Sequence, residues 1–369
     1  MVPMLDRTLK IERRIFLGLT LLLTLIGCVF VYSASSVFAL EKFGSAQYFL
    51  KKHLLYLIPS FFGFMFFALV PVSLIKKYAP LFFLVTLGLT VLTFFSGGIH
   101  IHGSSRWLSI GGKSFQPSEF LKLALFIYLG SLFDRKSKYL QSFVHSYLPF
   151  LLVLGVTFLV LLKQPDFGSV VTILITALML FFVAEFNLMH VFLTAACALP
   201  VLLFLTFSKS YRLNRILIFL NPWSDPQGRG FQIIQSLIAI GSGHVWGLGI
   251  AQSKQKFFYL PMQHTDFIFP IIAEEMGFVG CVGVLACYFL FLWYGLRLTL
   301  KMNDSFAFFT SLGFIIFITL QAVINIMVTT GLLPTKGLGL PFISYGGTSL
   351  LSLFCMIGLI MNFSRSNQP

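Results

Sequence analysis

The chain has 369 residues, of which 57% are hydrophobic and only 10% are charged, and its formal net charge is +14. A soluble protein carries roughly a quarter charged residues, so this composition excludes an ordinary soluble domain and indicates a polytopic membrane protein. The basic surplus does not indicate nucleic-acid binding, because the lysines and arginines lie in loops between apolar segments, where they suit orientation and contact with membrane lipid.

Ten apolar segments are long enough to approach the thickness of a bilayer as helices. They cover residues 15–38, 54–70, 79–95, 118–133, 146–162, 169–184, 188–207, 267–296, 306–330 and 346–363. The first is too long for the apolar part of a signal peptide, and such long runs favour helices over the short strands of a membrane barrel. We therefore predict an all-α membrane protein with about ten transmembrane helices, forming a single domain over residues 1–369.

The orientation follows from the charges of the loops. An even number of spans places both termini on one side, and basic residues are more frequent in the segments on that side, which the positive-inside rule makes cytoplasmic. Residues 1–14 and 364–369 are then the cytoplasmic ends. Residues 208–266 form a long extracytoplasmic loop between helices seven and eight, and the apolar stretch 231–243 within it suits an interfacial or re-entrant helix. Residues 96–117 form a second outer loop, rich in Gly and Ser.

The strongest functional candidate is Asp266, which follows His264 and Thr265 at the start of the eighth span. One interpretation is a helix cap, since Thr and Asp are good cap residues. The other is a general base, because ionisable groups are costly in membrane proteins and tend to mark function there. Glu274 and Glu275 follow inside the span. From their neighbouring spacing we expect them on nearly opposite helix faces, so at most one of them can share the face of Asp266. We predict a structural pairing for both.

Two further acids have alternative interpretations. Glu119 and Lys122 share one face at the start of the fourth span, after Gln116, and form either a structural ion pair or an anion or proton site. Asp166 lies in a tight turn, where it caps the sixth helix, pairs with a loop arginine or takes part in function.

Residues 333–349 mix Pro and Gly with one cation, Lys336. They are typical of a re-entrant hairpin, or of a nest of backbone N–H groups that binds phosphate beside the lysine. With Arg106, Arg212 and Arg215 on the same side, the pattern suits a cationic pocket for a polyanionic headgroup. The five cysteines lie in apolar spans without metal-site spacing, so we predict buried thiols and no metal site.

Several motifs in order resemble those of the SEDS family (shape, elongation, division and sporulation). They are Tyr32-Ser-Ala-Ser35, Ser105-Arg-Trp-Leu108, Phe115-Gln-Pro-Ser-Glu119, Gln164-Pro-Asp-Phe-Gly168, Tyr259-Leu-Pro261, His264-Thr-Asp-Phe267, Pro334-Thr-Lys-Gly337 and Ile343-Ser-Tyr-Gly-Gly347. The resemblance runs from the first helix to the C-terminus. The segments that begin at Asn221, Gln255 and Pro334 resemble the cell-division branch of the family more than its elongation branch.

The resemblance implies a peptidoglycan glycosyltransferase of the bacterial inner membrane that polymerises lipid II during septal cell-wall synthesis. Its implied partners are a class B penicillin-binding protein, which acts as the transpeptidase, and other divisome proteins. Asp266 falls on the family's catalytic aspartate, and Glu119 with Lys122 on a required ion pair. We assign substrate binding to Arg106, Arg212, Arg215, Lys336, His264 and Thr265, and supporting roles to Gln116, Asp166 and Ser344.

One position departs from the family pattern. Family members usually have Glu after the Leu-Pro pair that precedes the aspartate motif, where this chain has Met262, so Asp266 is the only carboxylate in that motif. A divalent cation is a possible aid to the leaving group, although no acidic cluster specifies a site for one. Two alternatives remain open at this point, a lipid II flippase and a divisome scaffold that recruits and regulates a transpeptidase.

Overall fold

The structure is a computed structural model that describes residues 2–95, 99–101, 104–110, 113–208, 210–256, 261 and 263–366. The helices are α1 (Val2–Phe43), α2 (Tyr48–Leu69), α3 (Val72–Leu92), α4 (Pro117–Lys136), α5 (Leu148–Lys163), α6 (Phe167–Val183), α7 (Leu188–Phe207), α8 (Ser210–Leu220), α9 (Phe231–Ser242), α10 (Ile268–Thr299), α11 (Ser305–Thr329) and α12 (Gly347–Ser366). Short 3-10 turns cover Ser137–Tyr139 and Pro222–Ser224, and a π-helical turn covers Phe143–Tyr147. The helical architecture confirms the predicted fold class. Met262, where the chain departs from the family pattern, lies outside the described residues.

Eight helical segments of the described chain are long and apolar enough to cross a membrane. They are Thr8–Phe43, Tyr48–Leu69, Val72–Leu92, Phe143–Lys163, Leu188–Phe207, Ile268–Thr299, Ser305–Thr329 and Gly347–Arg365. The other two predicted spans are also helical, as α4 and α6. Charged residues lower the hydropathy of α4, and α6 has 17 residues, at the short end of what a bilayer needs. The chain is therefore a multi-pass membrane protein.

The helix α11 is the most enclosed of these spans. In its most apolar stretch 83% of the residues are buried, whereas α7 has no buried residue and lies at the periphery. Around α11 pack α4, α6 and α10, while α2 packs along α12 and α1 along α10. Polar side chains on α11 therefore face protein, and the cost of burying them in an apolar interior must be offset by hydrogen bonds.

The segment 96–117 was predicted as an outer loop, but its described residues include a small antiparallel sheet. Strand β2 (Ser104–Ile110) pairs with β1 (Ile99–Ile101) on one side and with β3 (Lys113–Phe115) on the other. In this register Trp107 lies opposite Ile99, and Leu108 lies opposite Phe115. The sheet gives Arg106 a fixed backbone.

The helix α10 is interrupted at Gly277, whose φ of 66° lies in the left-handed region. A side chain there would bring its Cβ within 2.3 Å of the backbone nitrogen of Gly247. The segment 244–249 crosses the helix at this break. There Leu248 and Gly249 donate backbone hydrogen bonds to the carbonyls of Glu274 and Glu275. Glycine permits both the backbone conformation and the close approach.

Described parts of the long segment 208–266 pack against the membrane helices. Its apolar stretch forms α9, which confirms the helix predicted over residues 231–243. Ile233, Ile234 and Ala239 are buried, and the Ser236 hydroxyl donates to the carbonyl oxygen of Thr329 on α11 at 2.6 Å. The preceding helix α8 carries Arg212 and Arg215. The segment thus brings two cations close to the end of α11 from which residues 330–346 continue.

Candidate active site

The carboxylate of Asp266 lies in the turn that precedes α10. That helix begins at Ile268, its N-cap is Phe267, and no side chain bonds the cap, so the interpretation of Asp266 as a helix cap is wrong. Within the described residues the Asp266 carboxylate has no hydrogen-bond partner, although its backbone carbonyl accepts a bond from Asn325 Nδ2 at 2.8 Å. The backbone is therefore held while the carboxylate stays available for chemistry.

Three charged side chains lie close enough to affect the ionisation of Asp266. Burial raises the pKa of its carboxyl group to about 6, the positive charges of Arg106 and Arg215 oppose this rise, and the negative charge of Asp166 adds to it. A carboxylate with this pKa is ionised at neutral pH, and it is a stronger base than an ordinary aspartate. Burial and neighbouring charge thus bring it close to the range in which general bases work best.

Arg106 connects the small sheet to the turn before α6. Its Nε donates to the carbonyl oxygen of Gln164 at 2.7 Å, and its Nη2 donates to that of Pro165 at 2.8 Å. The next residue, Asp166, caps α6 by accepting bonds from the backbone nitrogen and the hydroxyl of Ser169 at 3.2 and 2.7 Å. The helix-cap alternative for Asp166 is therefore present in the structure, and its charge still reaches Asp266.

Two cations lie over the ring of Phe167, the first residue of α6. The guanidinium carbon of Arg212 is 5.4 Å from the ring centroid, and the Nζ of Lys336 is 5.8 Å from it. Backbone bonds hold the neighbouring arginines, from Arg212 to the Leu205 carbonyl and from Arg215 to the Thr335 carbonyl. Burial lowers the pKa of Lys336, and the carboxylate of Asp166 opposes this change.

His264, Thr265 and Ser344 contribute to the scaffold of the site. The ring of His264 packs against Phe49, with 4.4 Å between centroids, and burial lowers its pKa to about 4, so it is neutral. The hydroxyl of Ser344 donates to the Thr265 carbonyl at 2.5 Å, and the backbone nitrogen of Tyr345 donates to the His264 carbonyl at 2.9 Å. These bonds join the turn that carries Asp266 to the segment 334–345.

The predicted ion pair of α4 is formed. Lys122 Nζ lies 2.7 Å from Glu119 Oε1, and the lysine side chain is only 2% exposed. The backbone of this turn is joined to α12, since Ser352 Oγ donates to the Glu119 carbonyl and the Gln116 backbone nitrogen donates to Thr348 Oγ1. The pair neutralises itself in a buried place, which is the arrangement such charges require in a membrane protein.

Glu274 and Glu275 bind the same turn, which contradicts the prediction that they lie on nearly opposite faces. Glu274 accepts bonds from Ser253 Oγ at 2.5 Å and from the backbone nitrogen of Lys254 at 2.8 Å. Glu275 accepts from Ser33 Oγ at 2.5 Å and from the Ser253 nitrogen at 3.3 Å, and it lies 3.8 Å from Lys256 Nζ. Their carboxylates stabilise the fold, as their predicted structural role requires.

The sequence analysis missed two amides of α11. Gln321 Nε2 donates to the carbonyl oxygen of Gly339 at 2.9 Å, and Asn325 Nδ2 donates to those of Leu338 and Asp266. The available signal was the presence of amides in an otherwise apolar span, because polar side chains in such a helix face the protein interior. In the described part of the chain no group of three or more His, Cys, Asp or Glu side chains is arranged to hold a metal.

Comparison with known sequences identifies the chain's relatives. A family profile described as a cell cycle protein, and named for FtsW, RodA and SpoVE, matches residues 13–369. The chain is 42% identical over 351 residues to a probable peptidoglycan glycosyltransferase FtsW of Geobacter sp. (strain M18), with 95% of this chain and 96% of the relative covered. It is 40% identical over 348 residues to the stage V sporulation protein E of Bacillus subtilis (strain 168), with 94% and 95% covered.

Two solved structures have the same fold. The first is described as "Structural coordination of polymerization and crosslinking by a peptidoglycan synthase complex". It matches with a TM-score of 0.77 and 30% sequence identity, and the match covers 95% of this chain and 97% of that one. The crystal structure of the Thermus thermophilus rod shape determining protein RodA matches with a TM-score of 0.71 and 25% identity, over 96% and 97%. The chain is 42% identical to this FtsW and 25% identical to this RodA, which agrees with the predicted resemblance to the division branch. The chain therefore belongs to the family of FtsW, RodA and SpoVE, which is the SEDS family that its motifs predicted.

Proposed function

We propose that this chain is a peptidoglycan glycosyltransferase that joins two molecules of lipid II, with Asp266 as the general base. Relatives that are about 40% identical over nearly the whole chain are named for this activity, which supports the enzyme class. The observation that carries the proposal is the Asp266 carboxylate itself. Within the described residues it is held by its backbone, has no hydrogen-bond partner, and has a pKa raised to about 6.

The proposed reaction is an inverting transfer. Asp266 takes the proton of the 4-hydroxyl of the GlcNAc on the acceptor lipid II. The resulting oxygen attacks the anomeric carbon of the donor chain and forms the new glycosidic bond. The bond from that carbon to the pyrophosphate breaks, and undecaprenyl pyrophosphate leaves with the electron pair. A base positioned within hydrogen-bond reach of the attacking hydroxyl typically contributes about 10²–10⁴-fold to the rate.

The reaction also requires stabilisation of the negative charge that develops on the leaving pyrophosphate. The site has an excess of positive charge that can provide it. Two carboxylates, Asp166 and Asp266, are accompanied by four cations, which are Arg106, Arg212, Arg215 and Lys336. Two cations over one ring repel each other, and an anion bound between Arg212 and Lys336 relieves that repulsion. Electrostatic stabilisation of developing charge is usually the largest catalytic contribution.

Arg106, Arg212 and Arg215 each use part of their guanidinium group on backbone carbonyls. These bonds fix the position of the guanidinium groups before substrate binds, which reduces the reorganisation needed during the reaction. We therefore assign charge stabilisation in the proposed reaction to these arginines together with Lys336.

The cellular setting belongs to the same proposal. One membrane domain lies in the bacterial inner membrane with both termini in the cytoplasm, and residues 208–266 lie on the outer side, where they contribute Arg212 and Arg215. The prenyl tails stay in the lipid while the sugars meet at Asp266. A class B penicillin-binding protein is the proposed transpeptidase partner, and a solved relative described as a peptidoglycan synthase complex supports this pairing. The higher identity to FtsW supports a septal role.

The test is the polymerisation of labelled lipid II by purified protein, with and without its cognate class B partner. Wild type is expected to produce glycan ladders, and Asp266→Ala none, at equal folded yield. Asp134→Ala is the matched control, because Asp134 is an acid paired with Lys76 near the opposite end of α4 from the ion pair. Equal ladders from wild type and Asp266→Ala would exclude Asp266 as the base. No ladder from either protein, with translocation of lipid II in vesicles, would favour a flippase.

A further inference from the structure

Asn325 is a buried amide that joins the two segments on either side of the site. Its side chain lies in α11 and the residue is 2% exposed. Nδ2 donates to the carbonyl oxygen of Asp266 at 2.8 Å and to that of Leu338 at 2.6 Å. One side chain thus binds the backbone of the proposed base and the backbone two residues after Lys336.

Both carbonyl groups need such a donor. Asp266 precedes the N-cap of α10, so its carbonyl lies outside the hydrogen bonds of the helix, and Leu338 lies in an irregular segment. Buried backbone carbonyls without a partner are costly, and few other donors are available inside an apolar bundle. The orientation of the amide follows from its partners, because exchanging its nitrogen and oxygen would place an oxygen against two carbonyl oxygens.

Asn325 binds both the segment 334–345 and the backbone of Asp266, and a second amide on the same helix allows these two contacts to be tested separately. Gln321 lies one turn before Asn325 on the same face, and it donates to Gly339 in the segment that Asn325 also holds. Gln321 therefore fastens the segment to α11 without contacting Asp266. Of these two amides, only Asn325 connects that segment to the base.

The segment and the base are in direct proximity. A Cβ added to Gly337 would lie 3.4 Å from Oδ2 of Asp266, so the backbone next to Lys336 passes beside the carboxylate. A shift of either segment changes the position of the base relative to the acceptor hydroxyl and to the lysine. Catalysis is sensitive to such shifts, since a misplacement of about 1 Å can cost ~10²-fold in rate.

We propose that Asn325 is a positioning residue for the transfer reaction, and that it acts by holding the backbone of Asp266 and the segment 334–345 in one fixed arrangement. This inference rests on the proposed function of Asp266. It does not require Asn325 to touch substrate. It assigns to α11, the most enclosed of the spans, the role of a rigid support for the base.

The experiment compares Asn325→Leu with Gln321→Leu in the lipid II polymerisation assay. For Asn325→Leu we expect kcat to fall about 10–100-fold with KM changed less than about threefold. The acid limb of its pH–rate profile is expected to move, because the burial that raises the pKa of Asp266 depends on where the carboxylate lies. Gln321→Leu is expected to lower kcat less than Asn325→Leu does and to keep the wild-type pH profile, because Gln321 bonds only the segment and not the backbone of Asp266.

A second variant keeps the test decisive if Asn325→Leu does not fold. Asn325→Thr keeps one donor and a smaller volume, and its kcat is expected to lie between those of wild type and Asn325→Leu, with a displaced pH profile. The proposal is overturned if a folded variant of Asn325 has the kcat and pH profile of wild type, or if Gln321→Leu loses as much activity. An inactive wild type, or a fully active Asp266→Ala, would instead refute the proposed function.

Discussion

Asp266 and the pair Glu274–Glu275 lie fewer than ten residues apart, yet their surroundings are opposite. The two glutamates accept hydrogen bonds from Ser253, Lys254 and Ser33, and one of them is paired with Lys256. The described residues offer no hydrogen bond to the carboxylate of Asp266, and burial raises its pKa. The number of hydrogen bonds that each carboxylate accepts from the protein therefore distinguishes the glutamates, which stabilise the fold, from Asp266, which is available for chemistry.

The largest effect expected from this comparison is on folding. Glu275→Ala removes a carboxylate that accepts bonds from Ser33 and Ser253 and lies 3.8 Å from Lys256 Nζ, and leaving such buried donors unsatisfied typically costs about 1–3 kcal/mol. Asp266→Asn is expected to unfold at the same or a higher temperature. Because burial raises the folded-state pKa of Asp266 above its ordinary value, to about 6, the ionised form at neutral pH costs stability that a neutral amide does not.

Thermal unfolding of the two variants in detergent measures this difference, with Glu41→Ala as the control because Glu41 is an exposed acid on α1. A Glu275→Ala protein as stable as wild type would show that the pairing in the turn 253–256 contributes little. A strongly destabilised Asp266→Asn would show that this carboxylate also has a structural role, and would remove the contrast between the two regions.

The next effect concerns the two cations over the ring of Phe167, Arg212 and Lys336. Lys336→Gln is expected to lower kcat/KM about 10²-fold, because it removes a charge that stabilises the leaving pyrophosphate. Steady-state rates with labelled lipid II measure the change. Lys163→Gln is the matched control, since Lys163 is an exposed lysine that lies over Phe94, outside the cluster around Phe167. Equal losses in both variants would indicate a general effect of surface charge on substrate attraction.

A smaller effect is expected on the pH dependence. The base must be ionised, so kcat/KM, which reports the ionisation of the free enzyme, is expected to rise with pH through an inflection near 6 and then to level off. Asp166→Asn removes a negative charge that raises the pKa of Asp266, so the inflection is expected to move to lower pH. If the inflection of Asp166→Asn stays at the wild-type pH, the acid limb of the profile does not report the ionisation of Asp266. Asp134→Asn serves as the distant control.

The smallest effect is expected at His264. Its ring is neutral and packs among aromatic side chains, with Phe49 and Tyr345 at centroid distances of 4.4 and 5.8 Å. His264→Phe keeps an aromatic ring in this cluster and removes no charge, so kcat and KM are expected to change less than about threefold. A large rise in KM would instead support the substrate-binding role assigned to His264 from the sequence.

The sequence by itself determined the membrane class, the ten helical segments, the family and the position of Asp266. The membrane class and the helices follow from the hydropathy of single segments, because the cost of placing polar groups in lipid is summed along one helix. The family and Asp266 follow from motifs that are each contiguous in the sequence. The errors arose where partners are distant in sequence. Glu274 and Glu275 were placed on nearly opposite faces, whereas the turn 253–256 folds back and meets both.

Only the tertiary structure decided which side chains share the site. Arg106, Asp166 and Asp266 come from three widely separated parts of the chain, and the backbone bonds of Arg106 and Asn325 bring those parts together. The role of Asn325 is invisible in sequence, since an amide in an apolar span indicates a buried contact but not its partner. The physical reason is that hydrogen-bond satisfaction and pKa depend on the geometry between helices, whereas hydropathy depends on the composition of each helix alone.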